Sequence, residues 1–301
     1  MILALAGGVG GARLAQGLVQ VLAPDRLGIA VNVGDDFEHL GLHVSPDLDT
    51  VMYTLAGMHN AEAGWGRAHE TWHFMEALER LGGETWFRLG DRDLGTHLMR
   101  TQQLADGATL TAVTANLCAR LAVAARVLPM CDEPRPTLLA TSEGTLDFQE
   151  WLVRRRAVPS VTRVWSEGTS KPTLEVIDAI QKADIIIIGP SNPYVSIDPI
   201  LTLDGVREAL FGKLVVAVSP IVFGNAVKGP LASMIEQLEN RPASAAAIAD
   251  HYRGMLRGIV TEHGDHRALG IPAFPTRTVM HSRSERAQLA RDVLQFAKEI
   301  A

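Results

Sequence analysis

Residues 1–22, MILALAGGVGGARLAQGLVQVL, hold the junction on which the fold turns. Ile2 to Ala6 form an apolar run. Gly7, Gly8, Gly10 and Gly11 follow, and then Leu14, Leu18, Val21 and Leu22 recur at helical spacing. A short apolar run bounded by glycine reads as a buried strand, and the recurrence after it reads as a helix. Glycines at such a junction let backbone N–H groups approach a phosphate, and the helix start favours its negative charge. The same features also describe a plain strand-to-helix turn. From Gly8, the dinucleotide pattern G-x-G-x-x-G requires a small residue where Arg13 stands, and no Gly-Lys-Ser/Thr follows to make a Walker loop.

A second apolar run, Leu27 to Val33, ends in Asp35 and Asp36. These carboxylates belong at the carboxyl end of a parallel strand, where open α/β sheets bind ligands. Asp47 and Asp49 follow in SPDLDT, residues 45–50. Phosphate-binding glycines beside carboxylates predict a nucleotide held with magnesium, whose preferred ligands are carboxylate and phosphate oxygens. Ser45 suits an N-cap, Pro46 the first helical position, and Asp47 the first turn, where its charge complements the helix dipole. Asp49 lies later in the turn, before the apolar Val51, Met52 and Leu55. It is therefore the carboxylate expected to face the site as the catalytic group, where it could orient an acceptor hydroxyl, take its proton or, with Asp36, hold magnesium.

Further along, LGDRDLGTH (89–97) gathers Asp91, Arg92, Asp93 and His97 behind a glycine. It reads either as a solvated turn with an internal ion pair or as Arg92 presented to a phosphate or an aromatic ring. His97 is either a proton donor or a packed side chain. GPSNP (189–193) ends the run Ile185 to Ile188, and VSPI (218–221) ends the next strand. Gly189, Ser191, Asn192 and Ser219 are thereby candidates for reading a base or a phosphate at the ligand edge of the sheet. HETWH (69–73) fits the zinc-peptidase pattern on a helix but has no clear third ligand. The run Arg154 to Arg156 reads as a solvated surface or as a cover for donor phosphates.

GGVGGAR, VNVGDDFEHLGLHVSPDLDTVMYTLAG, GWG, ETW, LGDRDLGTHLMRTQ, LPMCDEP, FQEWLV, GPSNPYVSIDPIL and VSPI occur in this order. Together they resemble the 2-phospho-L-lactate transferase family of deazaflavin coenzyme (F-420) biosynthesis, from residue 2 to about residue 230. The resemblance implies a magnesium-dependent enzyme. A guanosine-diphospho three-carbon acid is its donor, and the 8-hydroxy-5-deazaflavin precursor is its acceptor through the terminal ribityl hydroxyl. GMP leaves. It also implies that Asp49 and Arg92 meet the deazaflavin or its metal, and that Gly8, Gly10, Gly11, Gly189, Ser191, Asn192 and Ser219 bind substrate. Cys131 and Glu133 replace the Ser and Asp common in the family, and GGVGGAR replaces the GGTGTPK of some members. The donor acid (lactate, enolpyruvate or glycerate) stays open.

The 301 residues, 47% of them hydrophobic, are enough for one large core. The expected fold is a single α/β domain over 1–301, with a doubly wound, mostly parallel, Rossmann-like sheet and a mostly helical insertion at about 60–125. Val127 to Met130, Thr137 to Thr141, Ile185 to Ile188 and Leu214 to Val218 read as strands, and 154–172 as a polar, irregular loop. A net charge of −6 argues against a nucleic-acid partner. Cys118 and Cys131 form no metal spacing and are expected as buried thiols in a reducing cytoplasm. No run is long enough to span a membrane. A homodimer is the expected assembly. Two other readings compete: a non-catalytic nucleotide-sugar-binding regulator of the same fold, which carries a DDGGSSGRLR-like segment absent here, and a nicotinamide dehydrogenase, weakened by Arg13.

Overall fold

The computed structural model describes residues 1–266 and 269–301. Its centre is a seven-stranded sheet. The strands are β1 (Ile2–Ala6), β2 (Leu27–Val31), β3 (Arg126–Pro129), β4 (Ile185–Ile188), β5 (Leu214–Val218), β6 (Gly258–Thr261) and β7 (Ala273–Pro275). Their order across the sheet is 7-6-5-4-1-2-3, and every neighbouring pair is parallel. This is the doubly wound α/β architecture that the sequence predicts. β1, β2, β4 and β6 are buried along their whole lengths. Helices cover both faces, so these strands are continuous aliphatic runs rather than alternating ones.

Helix α1 (Gly8–Val21) leaves β1 directly and packs against α2 (Pro46–Leu55) and the C-terminal helix Arg283–Glu299. The α1 backbone approaches the C-terminal helix closely at Gly17, where an added Cβ would stand 2.0 Å from the Arg286 carbonyl oxygen. After α2 come α3 (His73–Arg80), α4 (Asp93–Ala105) and α5 (Leu110–Arg120). Helix α5 buries Leu110, Val113, Leu117 and Cys118 in the main core, whereas Met75 of α3 joins Val44 and Leu89 in a smaller one. Cys118 and Cys131 are free and buried, and burial pushes both thiols up to about 12.

Two expectations change. Thr137–Thr141 is a strand, but it is the middle of a separate antiparallel sheet with Gly144–Asp147 and Val161–Ser166. The stretch 154–172 is therefore not wholly irregular. Its strand escapes the alternation test because the register slips between Ala140 and Thr141; a bulge breaks the two-residue period. This sheet packs Leu139, Phe148, Trp151 and Val161 into a second core at the carboxyl edge of the main sheet.

Gly10 and Gly95 make opposite predictions. A Cβ at Gly10 would lie 2.0 Å from the Pro190 carbonyl oxygen, whereas one at Gly95, exposed within α4, meets nothing within 4 Å. Gly10→Ala should cost about 1–3 kcal/mol through overpacking. Gly95→Ala should gain about 0.5–1 kcal/mol through lost unfolded-state freedom. Urea unfolding of both variants checks this; equal midpoints would refute the close contact at Gly10.

Candidate active site

β1 lies between β2 and β4, so the strand order reverses beside it, the place at the carboxyl ends of the strands where open α/β sheets form their ligand crevice. The glycine loop enters this crevice. Gly8 has φ +61°, a conformation that glycine adopts without a Cβ penalty. The turn after β4 closes on the same loop. Ser191 Oγ donates to the Gly7 carbonyl at 2.8 Å and accepts the Gly7 N–H at 3.2 Å. Gly189 and Gly11 permit this approach, since a Cβ on Gly11 would meet Ser191 Oγ at 2.6 Å and one on Gly189 would meet the Gly11 Cα at 3.1 Å. The structure thus brings Gly8, Gly10, Gly11, Gly189 and Ser191 together. Helix α1 carries no side-chain cap at Gly7 and no acidic residue in its first turn. Asp47 takes the Gly8 N–H there, and the positive end of the helix favours negative charge at its other N–H groups.

Beside the glycine loop stand three carboxylates, Asp35, Asp36 and Asp47, of which Asp35 and Asp47 are bonded to Asn32 at the end of β2. Asn32 is fully buried. Its amide nitrogen donates to Asp35 at 3.0 Å, to Asp47 at 2.9 Å and to the Val195 carbonyl at 3.1 Å, and its oxygen accepts the Gly34 N–H at 2.8 Å. The amide has two hydrogens for three acceptors, so one bond is shared. Gln149 donates to the other oxygen of Asp35 at 3.1 Å. Asp47 also accepts the Gly8 N–H, which ties the second helix to the glycine loop. Burial pushes the Asp47 carboxyl up to about 6, against the pull of its bonds from Asn32 and Gly8. Asp35 is held well above the usual carboxylate range by burial and then by the charges of Asp47 and Asp36.

Asp36 completes the group. One oxygen accepts from Ser45 Oγ at 2.6 Å and pairs with His43 at 3.1 Å. The other is buried without a partner among the described residues. Asp49 is placed differently from expectation. Arg100, itself fully buried, engages both Asp49 oxygens. His97 packs beside them, 3.7 Å from Asp49 and 3.4 Å from Asp93, and the Tyr53 hydroxyl donates to Asp93 at 2.5 Å. Asp49, Asp93 and His97 lie close enough to hold a metal, but the guanidinium already supplies the positive charge there. His97 is thus a packed member of an ion-pair network.

Arg92 lies at the start of α4 with an exposed side chain and no ion pair among the described residues. Its N–H and that of Asp93 go to Glu70 at 2.8 and 2.9 Å. In return, Asp91 accepts the His73 and Phe74 N–H groups at 3.0 Å, at the start of α3. The helix begins only at His73, so HETWH is not a helical HExxH motif, and Glu70 is a capping residue. Asn192 caps the turn Pro193–Ile197 by accepting the Tyr194 N–H at 3.0 Å. Ser219 is closed on its own turn, bonded to both the carbonyl and the N–H of Ile221. Arg154 and Arg155 pair with Glu150 at the surface.

Sequence reasoning missed Asn32, Gln149 and Arg100. Asn32 had a readable signal, a polar residue at the end of an apolar strand. Arg100 had one too, since Asp93, His97 and Arg100 share a helix face by spacing. Gln149 arrives from the separate sheet and had none.

Asp47 and Asp35 bind protons more tightly in the folded chain than the usual value near 4 of an unfolded aspartate. Their contribution to stability is therefore fullest below about pH 4 and is lost as pH rises through the Asp47 value of about 6. Magnesium added to chelator-treated protein should accordingly raise Tm more at pH 7.5 than at pH 5.0. An equal shift at both values, measured by calorimetry, would show that the carboxylates do not meet a cation.

The chain matches the family described as 2-phospho-L-lactate transferase CofD over residues 2–271. A phosphoenolpyruvate transferase of Streptomyces coelicolor is 42% identical to it over 99% of this chain and 98% of that protein. A 2-phospho-L-lactate transferase of Methanospirillum hungatei is 38% identical over 98% of this chain and 99% of that protein. A crystal structure of a UPF0052 family member from Bacillus halodurans superposes with a TM-score of 0.65 over 97% of this chain and 98% of that one, at 18% identity, and so shares the fold. Among the described residues, no helix is long and apolar enough to cross a membrane. With the family match running through the glycine loop, the carboxylate cluster and the turn after β4, the chain belongs to the 2-phospho-L-lactate transferase CofD family.

Proposed function

We propose that this protein moves a phospho-three-carbon-acid group from a guanosine-diphospho donor to the ribityl hydroxyl of the 8-hydroxy-5-deazaflavin precursor, releasing GMP, in cytoplasmic coenzyme F-420 biosynthesis. One observation carries the reading: at the reversal of strand order, the start of α1 adjoins Asp35, Asp36 and Asp47, and Asp47 accepts the Gly8 N–H. An anion seat thus adjoins a cation seat, the pairing that a diphosphate and its metal require. The transferase names of the relatives favour catalysis over the regulator reading.

The residues fit magnesium. Asp36 has a buried oxygen with no partner among the described residues, and Asp35 is held well above the usual carboxylate range by burial and then by its acidic neighbours. Asp35 and Asp36 would hold the ion, and when bound it supplies positive charge to the donor phosphates. Asp47, poised near neutrality and anchored to Gly8, takes the proton of the attacking hydroxyl. The hydroxyl oxygen forms a bond to the acid-bearing phosphorus, and the bond to GMP breaks in line, its electrons leaving with GMP. Asp49 acts through Arg100 to hold α4 against α2, and exposed Arg92 meets the acceptor. The 42% identity to a phosphoenolpyruvate transferase, against 38% to a 2-phospho-L-lactate transferase, favours the enolpyruvyl donor.

The test incubates full-length protein and precursor with each synthetic donor, with magnesium or chelator. Mass spectrometry separates enolpyruvyl from lactyl product by two hydrogens. Phosphodiester and GMP should form only with the metal; release of GDP would overturn the mechanism. Asp47→Asn should lower turnover about a hundredfold or more, the scale of a lost acid–base group. Asp49→Asn should instead cost about 3–5 kcal/mol of stability, because it strands the buried Arg100 charge. Thermal melts beside the assays separate the two effects.

A further inference from the structure

A second cavity, of about 470 Å³, lies beside the strand Val161–Ser166 and is walled by Arg135, Arg163, Trp165, Tyr194, Asp198 and Glu239. It is distinct from the crevice at the glycine loop. Tyr194 lines it, whereas Ser196, two residues along the same helical turn, sits against Gly7. Two residues along a helical turn point to opposite sides, so about one helix diameter, roughly 10 Å, separates the two places.

Neither arginine of this wall is paired with a carboxylate among the described residues. Arg135 is only 7% exposed. Its guanidinium has five donors, of which the structure satisfies those to the Gly168 carbonyl at 3.2 Å, the Thr202 carbonyl at 3.2 Å and Thr202 Oγ1 at 3.3 Å. Its Nε is buried with no partner, and no carboxylate among the described residues pairs with it. The acids in the wall are already engaged. Both Asp198 oxygens lie 3.0 Å from His251 Nε2. Glu239 accepts from Arg241 at 2.6 Å and from the Tyr194 hydroxyl. A buried cation without a counter-ion is costly, and an incoming anion removes that cost. The exposed Arg163 adds a second positive charge, its guanidinium carbon 5.3 Å from the centre of the Trp165 ring. The half-buried indole of Trp165 gives the wall an aromatic surface.

We infer that this cavity binds a small organic phosphate, its oxyanion on Arg135 and its planar portion against Trp165. The size suits a small molecule. This inference stands apart from the proposed reaction, since none of these wall residues belongs to the carboxylate cluster or the glycine loop.

The probe is phenyl phosphate, titrated into the full-length protein and followed by tryptophan fluorescence and by calorimetry. Inorganic phosphate and phenol serve as the separate halves of the probe. Phenyl phosphate should bind at one saturable site that quenches fluorescence, at least tenfold more tightly than either half. Trp165→Phe should abolish the quench. Arg163→Ala, on the exposed rim and so folding normally, should weaken binding several-fold. Arg135→Lys, which keeps the charge but loses the fork, should weaken it about tenfold. Phenyl phosphate binding no tighter than inorganic phosphate would reveal an adventitious ion only and overturn the inference. So would a quench unchanged in Trp165→Phe, or affinity unchanged in both arginine variants.

Discussion

The side-chain amide of Asn32 is the constraint around which the site is built. It is buried at the end of β2 and joins Asp35, Asp47 and the carbonyl of Val195. The turn after β2, the start of α2 and the distant turn after β4 meet at one small group. Carboxylates packed this closely repel each other and lose their hydration, so each needs a donor that water no longer supplies. Asn32, Gln149 and the Gly8 N–H are those donors for Asp35 and Asp47, and none of them carries a positive charge. Asp36 has His43 and Ser45 on one oxygen and no partner on the other among the described residues.

Close backbone packing makes the arrangement possible. Gly10 and Gly11 let α1 sit on the turn after β4, and Gly34 leaves room for Thr137 Oγ1, 2.5 Å from where its Cβ would be. Wherever a side chain would stand between two loops, the chain has none. The region around α3 and α4 is held in another way. Glu70 and Asp91 each accept the free N–H groups of the other segment's helix. The buried Asp49–Arg100 pair then anchors α4 to α2. Neutral donors serve Asp35 and Asp47, and an arginine serves Asp49.

Much of the fold was legible from local pattern. The runs Ile2–Ala6, Ile185–Ile188 and Leu214–Val218 are strands in the structure with those bounds. Strands buried on both faces leave an aliphatic run that needs no context to read. The strand Val161–Ser166 was not legible, because a bulge at its pairing destroys the alternation. The site was legible to the level of segments. The glycine loop, the acidic turn after β2 and the turn after β4 were each visible, and they do converge at the reversal of strand order.

By itself, the sequence determined the aliphatic strands at the centre of the sheet, the α/β class and the family. These depend on periodicity, on turn residues and on long ordered motifs, all of which lie along the chain. Tertiary structure decided the partner of each carboxylate. Asp47 and Asp49 are two residues apart on α2, about 200° around a helix, and helix-start chemistry favours a carboxylate at either place. Nothing local says which one meets Gly8 and which one meets Arg100. That depends on where α1 and α4 pack against α2, because the group that meets each carboxylate arrives from another part of the chain.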